Sequence, residues 1–403
     1  MIDSPGTSTV ARESQRLWAM GLFVVVGLAF VWWMASPPKD DGSTPVDLQA
    51  GAALPLSELV GSAKCAECHR DQAADHARSG HSHTFAFTKD SPVAMALCGQ
   101  EVPTPDGSGH FAYECDGDGL MVSLPERFGD KRFPIEIALG SGAHAVTFLT
   151  LTEAYDADEG RIGVEHAYTW FNARGELGVT PGQEHWIPER DIEHFGKSHQ
   201  GVDLTRCIDC HTTTFELDGA RLSHVVPSVQ CEQCHGPGRA HVEAAELQQS
   251  DRLLTTIRRS QNVAEEIALC GTCHRLPQDV TADRLKRYPP SVSRFQPIGL
   301  LQSRCYLESP DELTCTTCHA THGPAADRSL IEHVAVCQGC HREGQSALCA
   351  AGHTDQCIDC HMRPMELIPG IVFRDHWIRR RPNLDADADP ADVPTVSGEP
   401  AQP

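Results

Sequence analysis

The sequence predicts a mainly α and irregular, cofactor-filled body with a small β-rich insert and one N-terminal transmembrane helix. Three observations predict this. A five-residue cysteine and histidine signature recurs seven times, strand-like alternation fills the stretch between its first and second copies, and an uncharged apolar run lies near the amino terminus.

The apolar run is Leu17 to Ala35 (LWAMGLFVVVGLAFVWWMA). At 1.5 Å per residue it is about 28 Å long, close to the ~30 Å of a bilayer's hydrocarbon core. Arg12 and Arg16 precede it and Trp32 and Trp33 lie near its far end, the flanks expected of an N-inside, C-outside anchor. A cleaved signal peptide is the competing reading, but the run is longer than a usual signal core and no clear small-x-small site follows it. The expectation is a single-pass membrane protein, with residues 1–16 cytoplasmic, 17–35 spanning, and the rest periplasmic or otherwise outside the cytoplasm.

The recurring signature is Cys65-x-x-Cys68-His69, Cys207-x-x-Cys210-His211, Cys231-x-x-Cys234-His235, Cys270-x-x-Cys273-His274, Cys315-x-x-Cys318-His319, Cys337-x-x-Cys340-His341 and Cys357-x-x-Cys360-His361. Two thiols three positions apart can each form a thioether with one of a haem's two vinyl groups, and the adjacent histidine reaches the iron as proximal ligand. Structural zinc also uses Cys-x-x-Cys pairs, but it does not require histidine directly after every one, and it takes the pairs two at a time. Seven haem c groups are therefore expected, and with them a multihaem cytochrome body. Aromatic residues are only 6% of the chain, so haem faces are expected to supply much of the apolar packing.

Fourteen of the eighteen cysteines lie in these motifs, leaving Cys98, Cys115, Cys305 and Cys349. Export permits disulfides, and a Cys98–Cys115 bridge would close a short loop. Four cysteines allow three connectivities, however, and free thiols remain an alternative.

Along the chain, residues 36–59 read as a linker and 60–97 as a first haem segment. Residues 98–190 read as the β-rich insert, on the alternation Ile135, Ile137, Leu139 and Ile162, Val164, His166, Tyr168, Trp170, with Asp116 to Gly119 as a turn. His166, inside that alternation, is expected to pack rather than to ligate. The acidic turn Asp156 to Gly160 lacks the full ligand ladder of a calcium loop. Residues 191–381 carry the other six motifs, and 382–403 read as an acidic disordered tail.

Fifteen of the 22 histidines lie outside the motifs, enough for a second imidazole on every iron. The candidates are His81 and His83 after the first motif, His199 before the second and His241 after the third. His322 follows His319, His333 and His353 each stand four residues before a motif, and His376 lies beyond the last; His144 joins them below. Met362 and Met365 are disfavoured as too close to His361.

Gly61 to His69, Ser79-Gly-His81, Gly140 to His144, Ser198-His199 and Cys231 to Gly238 together resemble the multihaem cytochromes related to the tetrahaem cytochrome c of nitrifying bacteria and to hydroxylamine oxidoreductase. The resemblance covers roughly residues 60–378. It implies stacked haems whose irons are ligated by histidines distant in sequence, here His81, His199 and His144. No Cys-x-x-Cys-Lys occurs, nor an obvious tyrosine cross-link context.

The formal net charge of −22 argues against nucleic acid, which needs a clustered basic surface. It favours redox partner proteins docking in a salt-sensitive way. The expected function is electron transfer between a membrane quinol donor and periplasmic partners. The alternative is a reductase or oxidoreductase acting on a small nitrogen or sulfur compound at a five-coordinate haem.

Overall fold

The structure, a computed structural model, describes residues 54–153, 161–218, 221–342, 355–368 and 371–379. Fourteen strands occur among them. Ten build two antiparallel sheets: β1 (Phe85–Phe87), β2 (Glu101–Pro103), β3 (His110–Asp116), β4 (Gly119–Ser123), β5 (Arg132–Ile135), β6 (Ile137–Leu139), β7 (Ala145–Glu153), β8 (Arg161–Phe171), β9 (Glu176–Val179) and β10 (Gly196–Gln200). The six-stranded sheet runs β1-β6-β7-β8-β10 with β9 also on β8, and the four-stranded sheet runs β2-β3-β4-β5.

Successive side chains in a strand point to opposite sides, but the run Ile135, Ile137, Leu139 does not share one face: it is broken at Glu136 between β5 and β6, so Ile135 joins one core and Ile137 and Leu139 another. Ala138 and Phe148 enter a core shared by both sheets with Phe111, Tyr113, Leu120 and Val164. Their neighbours Ile137, Leu139, Leu149 and Leu151 face the other way and meet Leu204 and Ile208. Those two side chains belong to the helix Gly201–His211, which ends in the second motif. Their burial is worth about 4 kcal/mol and docks that helix on the sheet. Gly163 in β8 permits this approach, since a Cβ there would overlap the Leu204 side chain.

His166 sits where the β7–β8 register is irregular. It is 3% exposed, packed edge to face on Phe111 and tilted against Tyr113, and it accepts a hydrogen bond at Nδ1 from the Tyr168 N–H at 3.1 Å. Burial pushes its pKa down to about 3, so the ring packs as a neutral group. Cys98 and Cys115 form a disulfide that ties β3 to the preceding loop. Cys305 is a free thiol.

Two expectations are corrected. The body is not mainly α and irregular with one small insert: sheet extends outside residues 98–190 in β1 and β10, and in two hairpins that follow motifs directly. These are β11 (Thr212–Asp218) with β12 (Arg221–Pro227), and β13 (Pro364–Ile368) with β14 (Ile371–Arg374). Hydropathy hid β11 because its buried residues are Thr212, Thr213 and Thr214, whose hydroxyls are satisfied by backbone partners: Thr212 donates to Ile208 O and Thr213 to Ser228 O.

The second correction concerns the membrane. Among the described residues no helix is long and apolar enough to cross one. The longest, Val263–His274, has 12 residues, or about 18 Å against a ~30 Å core. The expected anchor, 17–35, lies outside the described residues, and single-pass anchoring with a cytoplasmic N-terminus is not supported. The acidic turn 156–160, Cys349, His353 and the tail 382–403 also lie outside them.

Candidate haem sites

Each motif lies on a helical turn, which places the two cysteines and the histidine at i, i+3 and i+4 on one face. Three helices simply end in their motif: Gly201–His211, Val263–His274 and Leu330–Cys340. Polar caps start two of them. Asn262 accepts from the Glu265 N–H at 2.9 Å, and Ser329 with Glu332 forms a capping box. The short helices Ser62–Ala66, Cys231–His235, Cys315–Cys318 and Cys357–His361 carry the rest.

The motifs pack against one another. The Cys65 thiol meets Cys231, Cys210 meets Cys273, and Cys270 meets Cys315. Sequence reasoning missed the residue that locks the first contact. Glu232, in the x-x of the third motif, is 4% exposed. It accepts N–H groups from Val60 and Gly61, each at 2.9 Å, and from Gly238 at 2.8 Å. No sequence signal distinguishes it from the motif's other variable residues.

Four imidazole pairs define the candidate iron positions. An iron bonded at about 2 Å on each side, with each ligating nitrogen ~1.1 Å from its ring centroid, sets two imidazole centroids about 6.2 Å apart. His69 and His241 are 6.2 Å apart, His81 and His274 6.2 Å, His235 and His322 6.1 Å, and His319 and His376 6.1 Å. Their interplanar angles range from 18° to 76°, which ligation permits, because both rings contain the iron–nitrogen axis and can turn about it. His333 also approaches His319, at 5.8 Å.

Hydrogen bonds turn the correct nitrogen inward. When Nδ1–H is held by a backbone carbonyl, Nε2 is left for the metal. His211 donates from Nδ1 to Thr84 O at 2.8 Å, His241 to Leu253 O at 3.0 Å, and His376 to Arg374 O at 2.9 Å. His235 and His361 bond Arg258 O and Arg379 O in the same way, and His274 bonds Gln296 Oε1. Burial lowers the pKa of His274, His376, His211 and His81, and pushes that of His319 down to about 4 with help from His376 and His333. Each is kept neutral, as a ligand must be. The residues present thus fit haem.

The remaining candidates are placed differently. His199 donates from Nε2 to Glu165 Oε2 at 3.1 Å, and His83 from Nε2 to Ala77 O at 2.9 Å, so in both the usual ligating nitrogen is engaged. His144 packs on Phe373 at 5.1 Å. Met365 belongs to a small core with Tyr288, Val292 and Ile298. Among the described residues no imidazole ring lies against His211 or His361.

Motifs paired through histidines of this geometry would suit c-type haem. Residues 185–236, which hold the second and third motifs, match the family described as "Cytochrome c554 and c-prime". No curated protein matches the chain. Among solved structures it is similar to the outer cell wall cytochrome OcwA, at 17% identity and a TM-score of 0.47 over 80% of each chain. None of these matches supports the expected kinship with hydroxylamine oxidoreductase.

Proposed function

We propose that the chain binds seven haem c groups, one per motif, and works as an electron-transfer protein. The observation that carries this reading is the set of four imidazole pairs spaced for a central iron. A six-coordinate, bis-histidine iron changes charge without changing ligands, which suits electron exchange rather than substrate binding. Histidine on both faces and partial burial place such potentials toward the low end of the range that axial ligands span. Quinol and redox proteins are the proposed donors and acceptors; the charge of −22 favours proteins with basic docking surfaces.

The test is haem staining after denaturing electrophoresis with intact mass measurement. Seven thioether-bound haems add seven haem masses and survive denaturation, whereas zinc would be lost. An unstained band overturns the reading.

A second reading, reduction of a small nitrogen or sulfur compound at an open iron, is favoured by the lack of an imidazole against His211 and His361 among the described residues. Low-temperature EPR separates the two. A strong high-spin ferric signal that responds to nitrite, hydroxylamine or sulfite favours the reductase.

A further inference from the structure

The segment Arg374–Arg379 supplies the carbonyls that orient two imidazoles, those of His376 and of the seventh motif's His361. Arg374 O receives His376 Nδ1–H at 2.9 Å, and His376 faces the fifth motif's His319 at 6.1 Å. Arg379 O receives Nδ1–H of His361, the seventh motif's histidine, at 3.0 Å. The segment is fixed between them by one side chain. Asp375 is 0% exposed; its Oδ1 accepts the Tyr288 hydroxyl at 2.9 Å and the Trp377 N–H at 2.9 Å. Its Oδ2 lies 3.5 Å from Arg379 Nη2.

The surroundings leave this arrangement little room to shift. The Arg379 guanidinium lies 3.7 Å from the Trp377 ring centre and 5.4 Å from that of Tyr288, and the two rings meet edge to face at 5.0 Å. Tyr288 holds a left-handed backbone, φ +46°, a conformation that costs a bulky residue free energy and persists only where its surroundings impose it. Gly299 presses against the same segment: a Cβ there would overlap Trp377 N, Tyr288 Oη and the His376 carbonyl carbon. Ser303, 0% exposed, donates to His376 O at 3.0 Å and accepts the Ile378 N–H at 2.8 Å.

We infer that Asp375, with Tyr288, is a shared positioning device that fixes the axial imidazoles of the fifth and seventh haems together, so that these two irons respond as a pair to any change at this one carboxylate. The inference rests on the haem reading above. Neither residue is among the paired imidazoles. Asp375 acts through the backbone of Arg374–Arg379, by setting imidazole orientation and by keeping a buried carboxylate beside the residues that would hold the two irons, where it would favour the ferric state of each.

The experiment uses the holoprotein. Asp375→Asn and Tyr288→Phe are each compared with the parent by EPR of the ferric haems and by potentiometric titration of the visible spectrum, with haem content fixed by pyridine haemochrome. The expected result is that two haem signals change in either variant while the others are retained, and that Asp375→Asn moves the potentials of those two upward. A general loss of packing would not single out two haems. If both folded variants leave every signal unchanged, or change one haem alone, the inference is overturned; if Asp375→Asn fails to fold, Tyr288→Phe decides by the same criterion. His376→Met separates the two levels of argument: the loss of one bis-histidine signal supports the ligand reading on which the inference rests, and an unchanged spectrum overturns that reading and the inference with it.

Discussion

His69, the histidine of the first motif, faces His241, which follows the third, with ring centroids 6.2 Å apart. An iron between them would be held by two parts of the chain that meet only after folding. Removing the distal partner should therefore change one haem and leave its attachment intact. His241→Ala is expected to convert one low-spin ferric signal to high-spin, with total covalent haem unchanged. Retention of all low-spin signals would show that His241 is not a ligand.

Attachment itself is tested at the last motif. The double substitution Cys357→Ala and Cys360→Ala should lower the intact mass by one haem. Because neighbouring motifs share packing, thermal stability should fall as well; an unchanged mass would contradict covalent attachment there.

Glu232 predicts a stability effect without a change in ligation. Replacing it with alanine removes an acceptor from three N–H groups, of which that of Gly238 is buried. Leaving buried donors unsatisfied costs about 1–3 kcal/mol and more when the lost partner is charged, so a loss of roughly 3 kcal/mol is expected in thermal or denaturant unfolding. A loss below ~0.5 kcal/mol would mean that water replaces the carboxylate, since substitutions away from such features stay within that range.

A buried histidine in β8 and a half-buried glutamate between β5 and β6 make stability depend on pH with opposite signs. His166 has its pKa lowered to about 3 by burial, so between pH 6.5 and 3 the unfolded chain binds the proton and the fold weakens as pH falls, by about 1.4 kcal/mol per pH unit. Glu136 has its pKa raised to about 7, chiefly by burial; between pH 7 and 4.5 the folded state binds the proton, and the fold strengthens as pH falls. The two offset each other in the overlapping range. Melting temperatures of the parent and Glu136→Gln from pH 7 to 4.5 separate them: the variant should lose stability on acidification more steeply than the parent. Identical slopes would contradict the assignment.

The motifs were legible from the sequence because they are local. Cysteine, cysteine and histidine at fixed spacing need no distant partner to be recognised, so all seven motifs could be read directly, whereas the run Ile135, Ile137, Leu139 could not show that its residues divide between two cores. The pairing of imidazoles was not legible. His241, His322, His81 and His376 were recognisable as candidates, but nothing in the chain assigns them to His69, His235, His274 and His319, because those pairs form only when remote helices pack. The extent of sheet escaped for a related reason: Thr212 to Thr214 are polar in sequence and become core residues only once Ile208 and Ser228 accept their hydroxyls. Sequence by itself determined which residues form the seven Cys-x-x-Cys-His motifs, since each motif spans five residues. Tertiary structure alone decided which imidazoles face one another and which buried carboxylate, Asp375, braces the segment that carries His376, because such contacts depend on the packing of segments that the sequence keeps far apart.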